Sequence, residues 1–157
     1  MKKVFITGIG GFIGSHLAKH MAEKGYEVYG SYFRPTSDID TVFSVAAKVY
    51  NVDVRYKPHL REALAEVKPD VVYHLAAQSY PMVSFKEPVY TMETNVLGTV
   101  NLFESIMELG LKSSRIMLAS STAAYGFIDP SETPVSENQP FRPAHLYGVS
   151  KATQDLL

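Results

Sequence analysis

The chain has 157 residues, with 15 Lys and Arg against 16 Asp and Glu, and no cysteine. A net charge of −1 leaves no electrostatic footprint for nucleic acid or an anionic membrane surface. Without thiols there are no disulfides, no thiolate metal sites and no thiol catalysis.

The length fits one domain, taken here as residues 1–157, with a sizeable core. The start, Met-Lys-Lys-Val-Phe-Ile, is interrupted by glycine and polar residues too early for a signal-peptide core. No apolar run is long enough to span a bilayer. A reducing cytoplasm suits the composition.

Lys3 to Thr7 reads as a buried strand. Thr7-Gly8-Ile9-Gly10-Gly11-Phe12-Ile13-Gly14 follows it and opens a helix from Phe12 to Lys24, with Gly25 as its cap. A glycine at 8 lets the chain turn. One at 11 lets amides approach a pyrophosphate, and one at 14 lets helix pack on strand. The free amides and positive end of the helix then face the anion. The spacing, G-x-x-G-x-x-G, differs from the plain G-x-G-x-x-G dinucleotide fingerprint.

Glu27 to Tyr32 is a second strand, followed by a polar loop from Arg34 to Asp40. Val42 to Lys48 is ambiguous, and Ala47 to Asn51 reads as a third strand. Asp53 begins a loop, and Leu60 to Val67 is a short helix. Asp70 to Leu75 is a fourth strand. Pro88 precedes one long helix, Val89 to Leu109, with Gly110 near its cap. Arg115 to Ser120 is a fifth strand. A proline-rich loop, Asp129 to Pro143, leads to a last helix beginning near His145. Strands alternating with helices predict an α/β, doubly wound parallel sheet, a Rossmann fold. Ligands then sit at the carboxyl ends of the strands, where Gly8–Gly14, Tyr32–Arg34, Asp53, Ala76–Ser79 and Ser120–Tyr125 gather.

Tyr147 and Lys151 stand four apart on the last helix and share a face. An ammonium beside a phenol favours the phenolate, which can exchange a proton with a substrate hydroxyl. The same spacing also occurs as an ordinary surface pair. His74, at a strand end with no second metal-type residue, reads as a core histidine, and no metal site is expected.

The glycine turn together with Tyr147-x-x-x-Lys151 resembles the short-chain dehydrogenase/reductase superfamily. More narrowly, the chain resembles its extended branch of NAD(P)-dependent sugar-nucleotide epimerases and dehydratases. The matching pieces are His74–Ser79, Asn95–Thr99, Ser120–Gly126 and Pro143–Lys151, in the family's order. The resemblance implies that Tyr147 is the base, that Lys151 holds the nicotinamide ribose, and that Ser121 hydrogen-bonds the reacting hydroxyl. It implies a cofactor lined by Thr7, Gly8, Gly10, Gly11, Phe12, Ile13, Gly14, Asp53, Val54, Leu75, Ala76, Ala77, Ser79, Asn95 and Ser120. Ser79, Ser84, Ser121 and Thr122 would face a nucleotide-diphosphate sugar, with a GDP-hexose favoured.

Tyr32 stands where an acid would hold the ribose of NAD, and Arg34 would accommodate the 2′-phosphate of NADP. NAD is the alternative, with Asp38 or Asp40 on the ribose. The segment 76–85 looks most like the GDP-mannose 4,6-dehydratase group. Dehydratases of the family carry a Glu two residues after the catalytic Ser or Thr, and here that position is Ala123. Alanine moves no proton, which favours epimerisation or 4-keto reduction. A dehydratase drawing on Glu137 or Asp129 is the alternative. A dinucleotide-binding module without turnover is the reading from another class. The resemblance also implies a C-terminal substrate domain beyond Leu157, and a homodimer formed through the 89–109 helix and the helix of Tyr147.

Overall fold

A computed structural model describes residues 1–157. The chain divides into two compact units: residues 1–76 with 98–119, and residues 77–97 with 120–157.

The first unit is built on a five-stranded parallel sheet. Its strands are β1 (Lys3–Thr7), β2 (Glu27–Tyr32), β3 (Lys48–Asn51), β4 (Val71–His74) and β5 (Arg115–Leu118), in the order β3-β2-β1-β4-β5. The order reverses at β1, so its carboxyl end is the topological switch point. β1 is buried on both faces, and its side chains alternate between two cores. Phe5 joins Val72, Leu60, Leu64, Leu102 and Ile106 on the face covered by α3 (Lys57–Val67) and α6 (Gly98–Glu108). Val4 and Ile6 join Ala18, Met21, Val28 and Val42 on the face covered by α1 (Phe12–Glu23) and α2 (Ile39–Val45). The doubly wound reading holds. The ambiguous segment after residue 40 is helical, capped by the Asp38 side chain, which accepts from the Asp40 amide.

The second unit holds α4 (Pro81–Lys86), α5 (Pro88–Met92), a π-helical turn (Glu93–Leu97), two short 3-10 turns (Thr122–Ala124 and Pro130–Glu132) and α7 (Leu146–Leu156). The single helix expected from Val89 to Leu109 is thus not one regular α-helix. The ladder widens at 93–97, and Asn95 is fully buried there. A widened turn of this kind often marks a functional site. The helix at 81–86 is an addition to the expected elements.

Candidate functional site

The glycine turn is shaped by close approach. Gly8 has φ of +72°, and a Cβ on it would lie 2.8 Å from the Ala76 amide nitrogen. A Cβ on Gly14 would lie 2.2 Å from the Gly8 carbonyl oxygen, so strand and helix meet there with no room for a side chain. The Gly11 amide donates to the Gly8 carbonyl at 3.0 Å, closing the turn. Helix α1 then starts at Phe12 with no side-chain cap and no acid in its first turn. Phe12 and Ile13 are exposed beside it. An uncapped helix start with free amides and a positive dipole end is chemically suited to a diphosphate.

Two of the residues expected at the cofactor are also tied into the protein itself. Gly10 packs against Pro35, Ile39 and Tyr32, and its carbonyl receives the amides of Thr36 and Ser37, both at 3.0 Å. It anchors the loop after β2. Thr7 is fully buried; its hydroxyl is hydrogen-bonded to His74 Nδ1 at 2.7 Å and accepts from the Ala76 amide at 3.2 Å. The far side of the His74 ring is hydrogen-bonded to Thr99 Oγ1 at 3.0 Å. His74 is the core histidine that the sequence suggests.

Arg34 follows β2 with φ of +51°, exposed, its guanidinium 5.2 Å from the Phe33 ring centroid. Asp53 is half-buried and fully engaged by Arg55, which donates through its amide, Nε and Nη2, the last at 2.6 Å. Burial works against the Asp53 charge, but Arg55, with Arg34 adding its field, holds the carboxyl below the usual range. Arg55 escaped the sequence reading, although its place two residues after an acid was the available signal. Val54 is buried, and its carbonyl accepts from Asn101 Nδ2 at 2.9 Å. Leu75 and Ala76 are partly buried at the end of β4.

The second unit carries Tyr147 and Lys151 on α7. Both are buried, one turn apart, the lysine 4% exposed. Burial pushes the Lys151 ammonium from 10.5 down to about 8. Ser121 caps the 122–124 turn: its Oγ accepts from the Ala123 amide at 3.2 Å, which leaves its proton available to donate. Thr122, Ser120 and Ser79 are exposed, and Ala77 is partly buried.

Ser84 and Asn95, both expected as ligand contacts, are hydrogen-bonded within the protein. Ser84 is 1% exposed; its hydroxyl donates to the Pro81 carbonyl at 2.6 Å and accepts from the Tyr147 amide at 3.2 Å. Asn95 accepts from the Gln78 amide at 2.8 Å and donates to the Gln78 carbonyl and to Ser150 Oγ. Both side chains are turned into the protein. A buried amide must be satisfied in this way. Gln78 completes the network, donating to Tyr80 O and Thr91 Oγ1.

The family model described as GDP-mannose 4,6 dehydratase matches residues 5–157. The chain belongs to that family. A GDP-mannose 4,6-dehydratase of Vibrio cholerae is 38% identical over 161 residues, covering 96% of this chain and 43% of its own length. An Arabidopsis thaliana GDP-mannose 4,6 dehydratase is 34% identical, covering 96% of this chain and 45% of its own length. The chain therefore spans less than half the length of these relatives. Among solved structures, the UDP-glucose 4-epimerase of Thermus thermophilus in complex with NAD superposes with a TM-score of 0.89 at 34% identity, over 98% of this chain and 49% of that one. The Brucella ovis UDP-glucose 4-epimerase, also with NAD, gives 0.89 at 28% identity, over 99% of this chain and 46% of that one.

Proposed function

We propose that the chain binds a nicotinamide dinucleotide at 8–14 and serves hydride transfer at a carbon of a nucleotide-diphosphate sugar, as an epimerase or a 4-keto reductase. The observation that carries this reading is a buried ammonium, Lys151, one turn from a buried phenol, Tyr147, in a member of this family. A lysine is seldom buried without a task, and lowered lysine basicity clusters at functional sites.

The dinucleotide supplies the hydride acceptor or donor. The protein's own part is proton management. The Tyr147 oxygen takes the proton of the sugar hydroxyl. Lys151 stabilises the phenolate left before transfer and holds the ribose. Ser121 donates to the reacting oxygen and keeps it in line. The amides after Gly11 hold the diphosphate. Residues 1–157 act in this reading as one dinucleotide-binding domain.

NADP is the favoured cofactor. Tyr32 supplies no acid at the end of β2, and the exposed Arg34 supplies a cation for a 2′-phosphate. NAD is the second reading, supported by the NAD bound in the Thermus and Brucella epimerases. A GDP-hexose is the favoured substrate, on the names of the Vibrio and Arabidopsis relatives. Those names also support a dehydratase. Against it stands Ala123, which has no proton to give. Asp129, the alternative acid, is tied to the Ser131 amide and hydroxyl, which hold its carboxyl below the usual range.

A cytoplasmic homodimer completes the reading. Exposed Val89 and Val149 support the dimer, and a monomeric mass in light scattering would contradict it. The central test is a fluorescence titration with NADPH and NADH, followed by absorbance at the nicotinamide band with GDP-mannose or UDP-glucose added. Saturable binding and sugar-dependent hydride transfer are expected. No binding of either dinucleotide overturns the proposal.

A further inference from the structure

We propose that His145 and Ser84 are positioning residues for Tyr147, each by holding one of the first amides of α7. The inference rests on the reading of Tyr147 as the proton-transfer residue. The first amides of a helix have no carbonyl partner within it, so the structure must supply acceptors. Here the Tyr147 amide donates to Ser84 Oγ at 3.2 Å and the Gly148 amide donates to His145 Nδ1 at 3.1 Å. Two side chains from two places in the chain thus fix two consecutive residues of one turn. The side chain of the first is the phenol.

Ser84 is suited to this by its own hydrogen bond. Its proton goes to the Pro81 carbonyl, so a lone pair is left facing the Tyr147 amide. At 1% exposure it has no water to turn to. The position of α4 is thereby passed to the main chain of Tyr147.

His145 acts on backbone and side chain together. Accepting at Nδ1 places the ring proton of the neutral imidazole on Nε2. The ring lies nearly parallel to the Tyr147 phenol, with centroids 6.0 Å apart and planes 19° apart. Phe85 of α4 also lies beside it, with centroids 6.2 Å apart and planes tilted by 56°. One side chain therefore caps the turn and flanks the phenol. A displacement of roughly 1 Å at a reacting group can lower turnover by about a hundredfold, so this support bears directly on the chemistry.

The test uses the whole 157-residue chain, labelled with [13Cζ]tyrosine, the Tyr147 signal being assigned by Y147F. In the wild type, both amides are expected to be protected from hydrogen exchange. Exchange of both at the rate of a free helix start overturns the proposal without any variant. H145A is expected to speed exchange at Gly148 by about five- to tenfold and to shift the Tyr147 phenol signal. H145N, whose side-chain oxygen can accept but which has no ring, restores the protection of Gly148 and only part of the phenol shift. H145F keeps the stacked ring but loses the acceptor, so it speeds exchange at Gly148 while moving the phenol signal less. S84A speeds exchange at Tyr147. Unchanged exchange and an unchanged phenol signal in H145A and S84A overturn the inference. Kinetics with NADPH or NADH and the nucleotide sugar form the second arm: kcat falls in H145A with KM little changed, and recovers in H145N. Intact amide signatures with no wild-type turnover would overturn the proposed function and leave the positioning result standing.

Discussion

Gly148 lies against the carbonyl of Ala123: a Cβ built on the glycine would sit 2.5 Å from that oxygen, and 3.1 Å from the Pro143 side chain. The residue after the phenol is therefore pressed onto the short turn that Ser121 caps. Backbone cannot yield as a flexible side chain can. G148A should destabilise the fold by about 1–3 kcal/mol, as overpacking generally does. It should also depress turnover beyond any change in dinucleotide affinity, because the turn and the start of α7 must part. Urea unfolding beside a NADPH titration measures the two effects separately. A neutral G148A would show that the turn and helix can slide past each other.

Lys151 allows a prediction whose sign is fixed by linkage. Unfolded, the lysine keeps its proton up to 10.5; folded, burial lowers this to about 8. Below pH 8 both states are protonated, and burial of the charge costs on the order of 3 kcal/mol. Between pH 8 and 10.5 the unfolded chain holds more protons, so this cost is relieved as pH rises. K151M should thus be more stable than the wild type at pH 7, with a difference that shrinks through that window. Denaturant unfolding at pH 7, 9 and 10.5 tests it. Turnover should be lost in K151M at every pH. A stability gap that widens with pH would mean that the ammonium is stabilised in the fold, contrary to its burial.

Much of this was legible in the sequence, for identifiable reasons. Val4-Phe5-Ile6 is apolar on consecutive positions because β1 has a core on each face, and that pattern predicts a buried parallel strand. The glycines at 8 and 14 are legible because no other residue meets those contacts. The π turn at 93–97 was hidden. A single widened turn leaves the apolar periodicity of a long helix nearly intact, so 89–109 reads as one helix. What marks the turn is Asn95, whose side chain is hydrogen-bonded to Gln78 and Ser150, both distant in the chain. Ser84 is a related case: a hydroxyl within the proline-led helix α4 reads as a ligand contact from the sequence, and its two backbone partners show only in the structure. His145 gave no capping signal, because histidine is not among the usual N-cap residues.

On the proposed reading, Ala123 separates elimination from simple hydride chemistry. The wild type should form no 4-keto-6-deoxy sugar. A123E places a carboxylic acid two residues after Ser121, on a side chain that is partly exposed. It should gain water elimination from the nucleotide sugar while keeping dinucleotide affinity. Product analysis by mass spectrometry, with a loss of one water, reads the outcome. Formation of the 4-keto-6-deoxy product by the wild type would instead establish the dehydratase reading and require an acid from another position.

Arg34 should decide which dinucleotide is held. It is exposed at the end of β2, and its left-handed backbone is a conformation that a non-glycine residue adopts at some cost. The loop beyond it is pinned by the two amides that Gly10 receives, so the guanidinium is carried on a fixed backbone rather than a loose one. A fixed cation gains more from a dianionic 2′-phosphate than from a neutral ribose hydroxyl. R34A should weaken NADPH by about tenfold or more and leave NADH nearly unchanged, because the proposed diphosphate contact at the amides after Gly11 is common to both. Raised salt should narrow the wild-type preference in the same direction, since an exposed charge pair is screened. The mutation also removes one of the cations that lower the pKa of Asp53, but Arg55 remains on that carboxylate, so the fold should be little affected. Equal loss of both dinucleotides in R34A would place Arg34 on the diphosphate or adenine side and return the ribose to Asp38 or Asp40.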